Sequence, residues 1–262
     1  SRTWLIAKVF KVNTNNRTFI LIPSRIGSTK HQKKPLINIS GKSLIQRVFT
    51  NVDTLKLNTY IATDSNEIFE HVLKFTKNVV MTDSKHISGT DRVYEAATKL
   101  KINDDDLVIN LQGDEPFIPH DLLTKLINDF TSNDCDVISA SHPIYNKNDI
   151  TNENCVKVII NSSGYAQNFE RKLTTKPDND VMSHIGIYGY KYKTLSEIIN
   201  LEPTQNELEH KLEQLRFLEN NLSIYMTQYE REVPPGIDTE DDVVNAEEYL
   251  KYNDCWEKFI YK

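Results

Sequence analysis

The chain is short of several things, and each shortage removes a class of reading. It has three cysteines, Cys135, Cys155 and Cys255. They are odd in number, widely spaced and form no Cys-x-x-Cys. That argues against a disulfide framework or a cysteine zinc site and fits a reducing compartment. No apolar run nears the roughly 20 residues that span a bilayer. The stretch WLIAKVF near the start is brief and is followed by the polar KVNTNNRT, so it does not read as a signal peptide. Positive charge is not in excess: 31 Lys and Arg face 37 Asp and Glu, a formal net charge of -6, and bulk charge gives no reason to expect nucleic acid. Internal repeats and low-complexity linkers are missing. So is the GxxxxGK[ST] loop of P-loop enzymes.

What is present is alternation. In the first half, strand-like TFILIP (18–23), NTYIATD (58–64), NVVMT (78–82) and DLVINL (106–111) alternate with helix-like runs over 43–55, 66–75, 90–100 and 119–131. This order predicts right-handed βαβ crossovers and a mostly parallel sheet. The second half reads as a strand over 137–144, a hairpin over 155–169 turning at NSSG, and a strand over 184–192. A long helix over 205–220 follows, with Leu208, Leu212, Leu215 and Leu218 marking its buried side. A strand over 222–229 and a helix over 240–252 close the chain. The expectation is a peripheral extension over 1–17 and one α/β domain over 18–262. Its parts are 18–135, then 136–222 with an antiparallel insertion, then a closing segment 223–262.

Ligands of such a sheet sit beyond the carboxyl ends of its strands. The loops there hold the unusual residues. PSRIGSTKHQKKPL (23–36) gathers Arg25, Lys30, Lys33 and Lys34 among Ser24, Ser28 and Thr29, which suits a polyphosphate. In TDSKHISGTDR (82–92), Ser88, Gly89 and Thr90 precede a helix, with Thr90 the expected N-cap and the same groups able to read a base or ribose. In QGDEP (112–116), Gly113 lets a ligand approach the backbone, and Asp114 beside a triphosphate calls for a divalent cation, Mg²⁺ being the natural choice. Glu115 shapes the turn. Asp238, after the Pro234-Pro235-Gly236 turn, reads either as a second metal ligand or as the N-cap of the last helix.

Taken in order, IPSRIGSTK, KPL, ATD, SGTDR, QGDEPFIP, VKV, HIGIYGY, LEQLR and GIDTEDD resemble the CMP-KDO synthetases, the 3-deoxy-manno-octulosonate (KDO) cytidylyltransferases. The resemblance spans about residues 19–245, and QGDEP with HIGIYGY and LEQLR is specific in combination. It implies a nucleotidyltransferase fold, Rossmann-like, and transfer of CMP from CTP to the anomeric hydroxyl of KDO, with pyrophosphate released, for lipopolysaccharide synthesis. It also implies Mg²⁺, a cytoplasmic homodimer, and no nucleic-acid or membrane partner. Carried over, Arg25, Ser28, Lys34, Ser88, Gly89, Thr90 and Arg92 resemble the CTP pocket. Gln112, Arg171, His184, Tyr188, Glu213 and Gln214 resemble the acidic-sugar pocket. Asp114 and Asp238 resemble the metal ligands, and act with Arg25 and Lys34 as the catalytic set.

The chain departs from the family in places. It has His31-Gln32-Lys33 where Leu-Pro-Gly is usual, Lys30 in place of Arg, Glu170 in place of Ser, and a short segment over 172–183. Two alternatives stay open: a cytidylyltransferase for another acidic sugar such as a sialate, and a catalytically silent nucleotide- or glycan-binding module.

Overall fold

A computed structural model describes residues 17–27, 33–173 and 180–252. Ser28, Lys30, His31, Gln32, Cys255 and the extension over 1–16 lie outside the described residues, as does the middle of the short 172–183 segment.

The first half follows the predicted alternation: β1 (Thr18–Ser24), α1 (Leu44–Asp53), β4 (Asn58–Thr63), α2 (Asn66–Val72), β5 (Val79–Met81), α3 (Gly89–Lys99), β6 (Leu107–Leu111) and α4 (His120–Ser132). Between β1 and α1 lie two short strands, β2 (Asn38–Ile39) and β3 (Lys42–Ser43), paired antiparallel as a separate ribbon. The second half gives β7 (Val137–His142), β8 (Lys157–Ile160), β9 (Ala166–Glu170), β10 (Asp180–Lys191) and α5 (Tyr192–Ile198). After these come α6 (Gln205–His210), α7 (Glu213–Glu219), β11 (Ile224–Gln228) and α8 (Glu240–Tyr252).

The main sheet runs β11-β7-β10-β6-β1-β4-β5, with β8 paired to the start of β10 and β9 to β8. β1 is parallel to β4 and β6, β4 to β5, and β7 to β11. The antiparallel member is β10, wedged between β6 and β7. Its register against β7 slips between Ile185 and Gly189. The β6, β1, β4, β5, β7 and β11 carboxyl ends therefore share one edge, and β10 enters from that edge with His184 paired to Ser141.

The two faces of β1 show why the strand is apolar throughout. Ile20 and Ile22 face a core completed by α1, α2, α4 and α8, while Phe19 and Leu21 face a second core completed by α3, α5 and α7. A strand covered on both sides has no solvated face and loses the alternating pattern.

The predicted helix over 205–220 is broken into α6 and α7. Lys211 takes a left-handed conformation, φ 54°, and ends α6. The turn between them rotates α6 away from the core, so Leu208 is exposed while Leu212 and Leu215 are buried. The helical spacing of the leucines is real only from Leu212 onward.

Candidate active site

Three loops of the shared edge close around Pro23. A Cβ on Gly113 would lie 2.7 Å from the Pro23 carbonyl oxygen, so only glycine lets the loop after β6 lie against the end of β1. A Cβ on Gly89 would lie 3.3 Å from Pro23 Cγ, which brings the start of α3 to the same place. The closing segment joins them through its backbone, where Ile237 N donates to Asp114 O at 2.9 Å.

That bond sets Asp238 opposite Asp114. Lys34, in the short 3-10 turn Lys34–Leu36, reaches between the two. Its Nζ donates to Asp114 Oδ2 at 2.8 Å and to Asp238 Oδ1 at 2.6 Å. Burial works to lower the Lys34 pKa, but the two carboxylates outweigh it and hold the ammonium above its ordinary range. Asp238 is not the cap of α8: Thr239 Oγ1 accepts from Asp242 N instead, leaving the Asp238 carboxylate to the cleft. Glu115 turns away beneath Gly236, whose Cβ would meet Glu115 Oε1 at 3.0 Å. Burial, then Asp114 and Asp238, push its carboxyl up to about 8 against the pull of Lys34. Glu115 N also donates to Gln112 O, the turn expected of it.

At α3 the expected cap is displaced by two residues. Ser88, not Thr90, is the N-cap, in a reciprocal capping box with Asp91. This frees the Thr90 hydroxyl to donate to Glu213 Oε2 at 2.7 Å. Arg92 is buried and donates to Asp64 Oδ2 at 2.7 Å and to Thr82 Oγ1 at 2.5 Å. Its guanidinium ties α3 to the ends of β4 and β5. Arg25 is exposed and makes one long contact, 3.5 Å, with Ile87 O.

Four of the six predicted sugar-side residues, Gln112, His184, Tyr188 and Glu213, are joined by a chain of contacts and charge interactions. Gln112 Nε2 donates to Asn110 Oδ1, and Asn110 Nδ2 donates to Tyr190 Oη. The half-buried His184 shares a hydrogen bond between its Nε2 and Ser139 Oγ at 2.9 Å. Its ring packs on Phe169 and Tyr188. Burial drops its pKa to about 3, so the imidazole is neutral. Burial also raises Tyr188 and Glu213, and the Glu213 charge adds to the rise at Tyr188. Gln214 is buried in α7. Arg171 stands apart. Its guanidinium donates to three main-chain carbonyls, of His210 at 2.7 Å, Lys211 at 3.0 Å and Glu153 at 3.1 Å.

Sequence reasoning missed three partners: Asp64 for Arg92, Ser139 for His184, and Lys157. Asp64 sits in the quoted ATD motif at a strand exit, and Lys157 in the quoted VKV motif, but neither was given a role. Ser139 lies inside β7 and carries no local mark.

Among the described residues no three or more His, Cys, Asp or Glu side chains group closely enough to hold a metal. Asp114 and Asp238 are a pair, which is the protein contribution expected of a Mg²⁺ site that takes its other ligands from phosphate and water. Nor, among the described residues, is any helix long and apolar enough to cross a membrane.

Comparison with known proteins finds relatives over most of the chain. A cytidylyltransferase family model matches residues 19–224. A 3-deoxy-manno-octulosonate cytidylyltransferase of Lawsonia intracellularis is 38% identical over 230 residues, 85% of this chain and 90% of the relative. One from Rickettsia felis is 36% identical over 234 residues, 88% of this chain and 94% of the relative. Among solved structures, a CMP:2-keto-3-deoxy-manno-octonic acid synthetase complexed with CTP superposes with a TM-score of 0.84 at 29% identity, over 90% of this chain and 99% of that one. A 4-diphosphocytidyl-2C-methyl-D-erythritol synthase, at 11% identity and a TM-score of 0.63, shares the fold. With its matched motifs and its paired aspartates at the sheet edge, the chain belongs to the cytidylyltransferase family, in the branch of the 3-deoxy-manno-octulosonate cytidylyltransferases.

Proposed function

We propose that the protein transfers CMP from CTP to the anomeric hydroxyl of KDO and releases pyrophosphate. The observation that carries this reading is the meeting of Asp114, Asp238 and Lys34 beyond the carboxyl edge, with Gln112 on the same loop as Asp114 and His184 on β10 entering the same edge. The first group suits a triphosphate and the second a hydroxyl-rich acceptor.

Asp114 and Asp238 fit Mg²⁺, because they already place two carboxylate oxygens within 2.8 Å of one cationic atom. When bound there, Mg²⁺ supplies charge neutralisation at the α-phosphate and lowers the pKa of a ligated hydroxyl. The chain's own residues do the rest. Lys34 exchanges its aspartates for phosphate oxygens, and with Arg25 it stabilises the pyrophosphate as it leaves in line. The start of α3, with the Ser88, Gly89 and Thr90 amides and hydroxyls, takes the nucleoside portion of CTP. Arg92 serves that loop by seating α3 on Asp64.

On the acceptor side, neutral His184, Tyr188 and Gln112 hold sugar hydroxyls. Arg171 has the charge for the sugar carboxylate: three of its five N–H donors hold main-chain carbonyls, which leaves two for the acid. Positioning carries such a reaction more than covalent help does. A cytoplasmic reaction and a homodimer are both carried over from the family. Sedimentation of the purified chain tests the dimer.

Pyrophosphate release measured with CTP and KDO, each omitted in turn, tests the activity. Release that needs both supports it. Release with CTP and a sialate but not KDO, or none with any acceptor, overturns it.

A further inference from the structure

The loop from Asn146 to Cys155 has little to hold it. Its short 3-10 turn, Lys147–Ile150, buries no residue, and Thr151 to Asn154 are exposed. No apolar side chain fastens it to either core. Besides a Cys155 Sγ–Ser183 Oγ contact at 3.2 Å, its fastening is a buried cation. Lys157, at the start of β8, has no exposed surface (0%), and all of its hydrogen-bond partners are main-chain carbonyls. Its Nζ donates to Cys155 O at 2.6 Å, Asn152 O at 2.9 Å and Asp149 O at 3.1 Å, and to Arg171 O. An ammonium has three protons, so four carbonyls saturate it. Burial lowers its pKa, as expected of a cation removed from water. Such a group is tolerable only when fully hydrogen-bonded, and here it is.

The fourth carbonyl leads onward. It belongs to Arg171, whose guanidinium takes Glu153 O from the same loop and His210 O and Lys211 O from the joint between α6 and α7. Lys211 is the left-handed residue that breaks the helix. Two residues later Glu213 opens α7 and accepts from Thr90 across the cleft. On the other side of Lys157, Val156 O accepts from His184 N at 2.8 Å. One lysine thus stands behind both His184 and the start of α7.

We infer that Lys157 is a positioning residue for the acceptor side of the cleft. With Arg171 it forms a two-cation clamp on main-chain carbonyls that fixes where α7, and with it Glu213, meets the site. Lys157 touches no substrate. It acts through the loop, through Arg171 and through the backbone of His184. The inference rests on the reading that this side of the cleft takes the acidic sugar.

Lys157→Met keeps most of the length of the side chain and removes all of its donors. Lys157→Gln offers two donors from a side chain one atom shorter, together with a carbonyl oxygen. In the Met variant the KM for KDO is expected to rise about tenfold, the scale of one buried hydrogen bond lost, while the KM for CTP stays within about twofold. The Gln variant is expected to fall between Met and wild type. It carries the test by itself if the Met variant does not fold. Hydrogen exchange of the ligand-free protein reads the same clamp without any turnover: amides of 151–155 and 212–217 should exchange faster in the variants, and those of α1 should not. Wild-type turnover with KDO tests the activity, whereas the variant-to-wild-type differences test the clamp, so the two fail separately. Unchanged exchange in both segments overturns the inference. So does an equal rise in KM for CTP and KDO.

Discussion

Two carboxylates that share one ammonium are poised for a change of partner. Asp114 and Asp238 hold Lys34 between them, and a triphosphate would offer that lysine a stronger set of anions. Asp114→Asn keeps the shape of the side chain and removes half of the paired charge. Turnover is expected to fall by far more than tenfold, that is by more than about 1.4 kcal/mol of barrier, with the melting temperature little changed. Steady-state kinetics beside a thermal melt checks both. Gly113→Ala acts differently, because a Cβ 2.7 Å from Pro23 O forces the loop after β6 away from the end of β1. A cost of about 1–3 kcal/mol of stability is expected from such overpacking, read by denaturant unfolding, together with a loss of activity. Both residues were legible in the sequence, since a glycine and a carboxylate at a strand exit have few bland uses. The cap of α3 was not. Ser88 and Thr90 each precede a helical run, and only the reciprocal bond with Asp91 decides between them.

Elements in this fold are seated by buried polar contacts as well as by apolar faces. α3 packs Val93, Ala96 and Ala97 into its core, but Arg92 sets its first turn against Asp64 and Thr82. Arg92→Met leaves the Asp64 carboxylate without its partner at a largely covered position. Breaking a buried pair on one side costs about 3–5 kcal/mol, so a large drop in unfolding free energy is expected. Arg92→Met with Asp64→Leu should recover much of it, because the stranded charge is gone. Chemical denaturation of the single and double variants decides this. A double variant no better than the single would show that Arg92 works through Thr82 rather than Asp64. Elements also mark where sequence patterns stop being informative. The alternation of β1 to α4 was readable because β1 and β6 are buried along their whole length and the helices between carry an apolar stripe. The α6–α7 break was not, because leucine spacing continues through it. What ends α6 is a left-handed lysine whose carbonyl, like its neighbour's, is held by Arg171 from a distant strand.

At the scale of the whole molecule, the response of stability to acid reports on the acceptor side. His184 is neutral in the fold, its pKa dropped from 6.5 to about 3 by burial. The unfolded chain binds a proton there below about 6.5, while the folded chain does not until about 3. Between these values the unfolded state carries the extra proton, so stability rises with pH and is lost as pH falls from 6.5 towards 3. Burial lowers His71 and His120 as well, and Glu95 is held down to about 2 by Lys99, the Asp83 amide and His86 against its burial. The histidines add loss of the same sign over the range where they titrate, and Glu95 adds more below its ordinary value of 4.5. Wild-type stability alone therefore does not isolate His184, but a difference does. In His184→Gln the packing on Phe169 and Tyr188 is weakened at every pH, which shifts the whole curve down by a constant. Its slope between pH 4 and 6 should also be shallower than that of wild type by one proton, about 1.4 kcal/mol per pH unit. Urea unfolding of both proteins across that range gives the two slopes. Parallel curves would mean that His184 titrates normally in the fold, open to water rather than enclosed by Ser139, Phe169 and Tyr188. A neutral acceptor for sugar hydroxyls at that position would then be lost from the proposed mechanism.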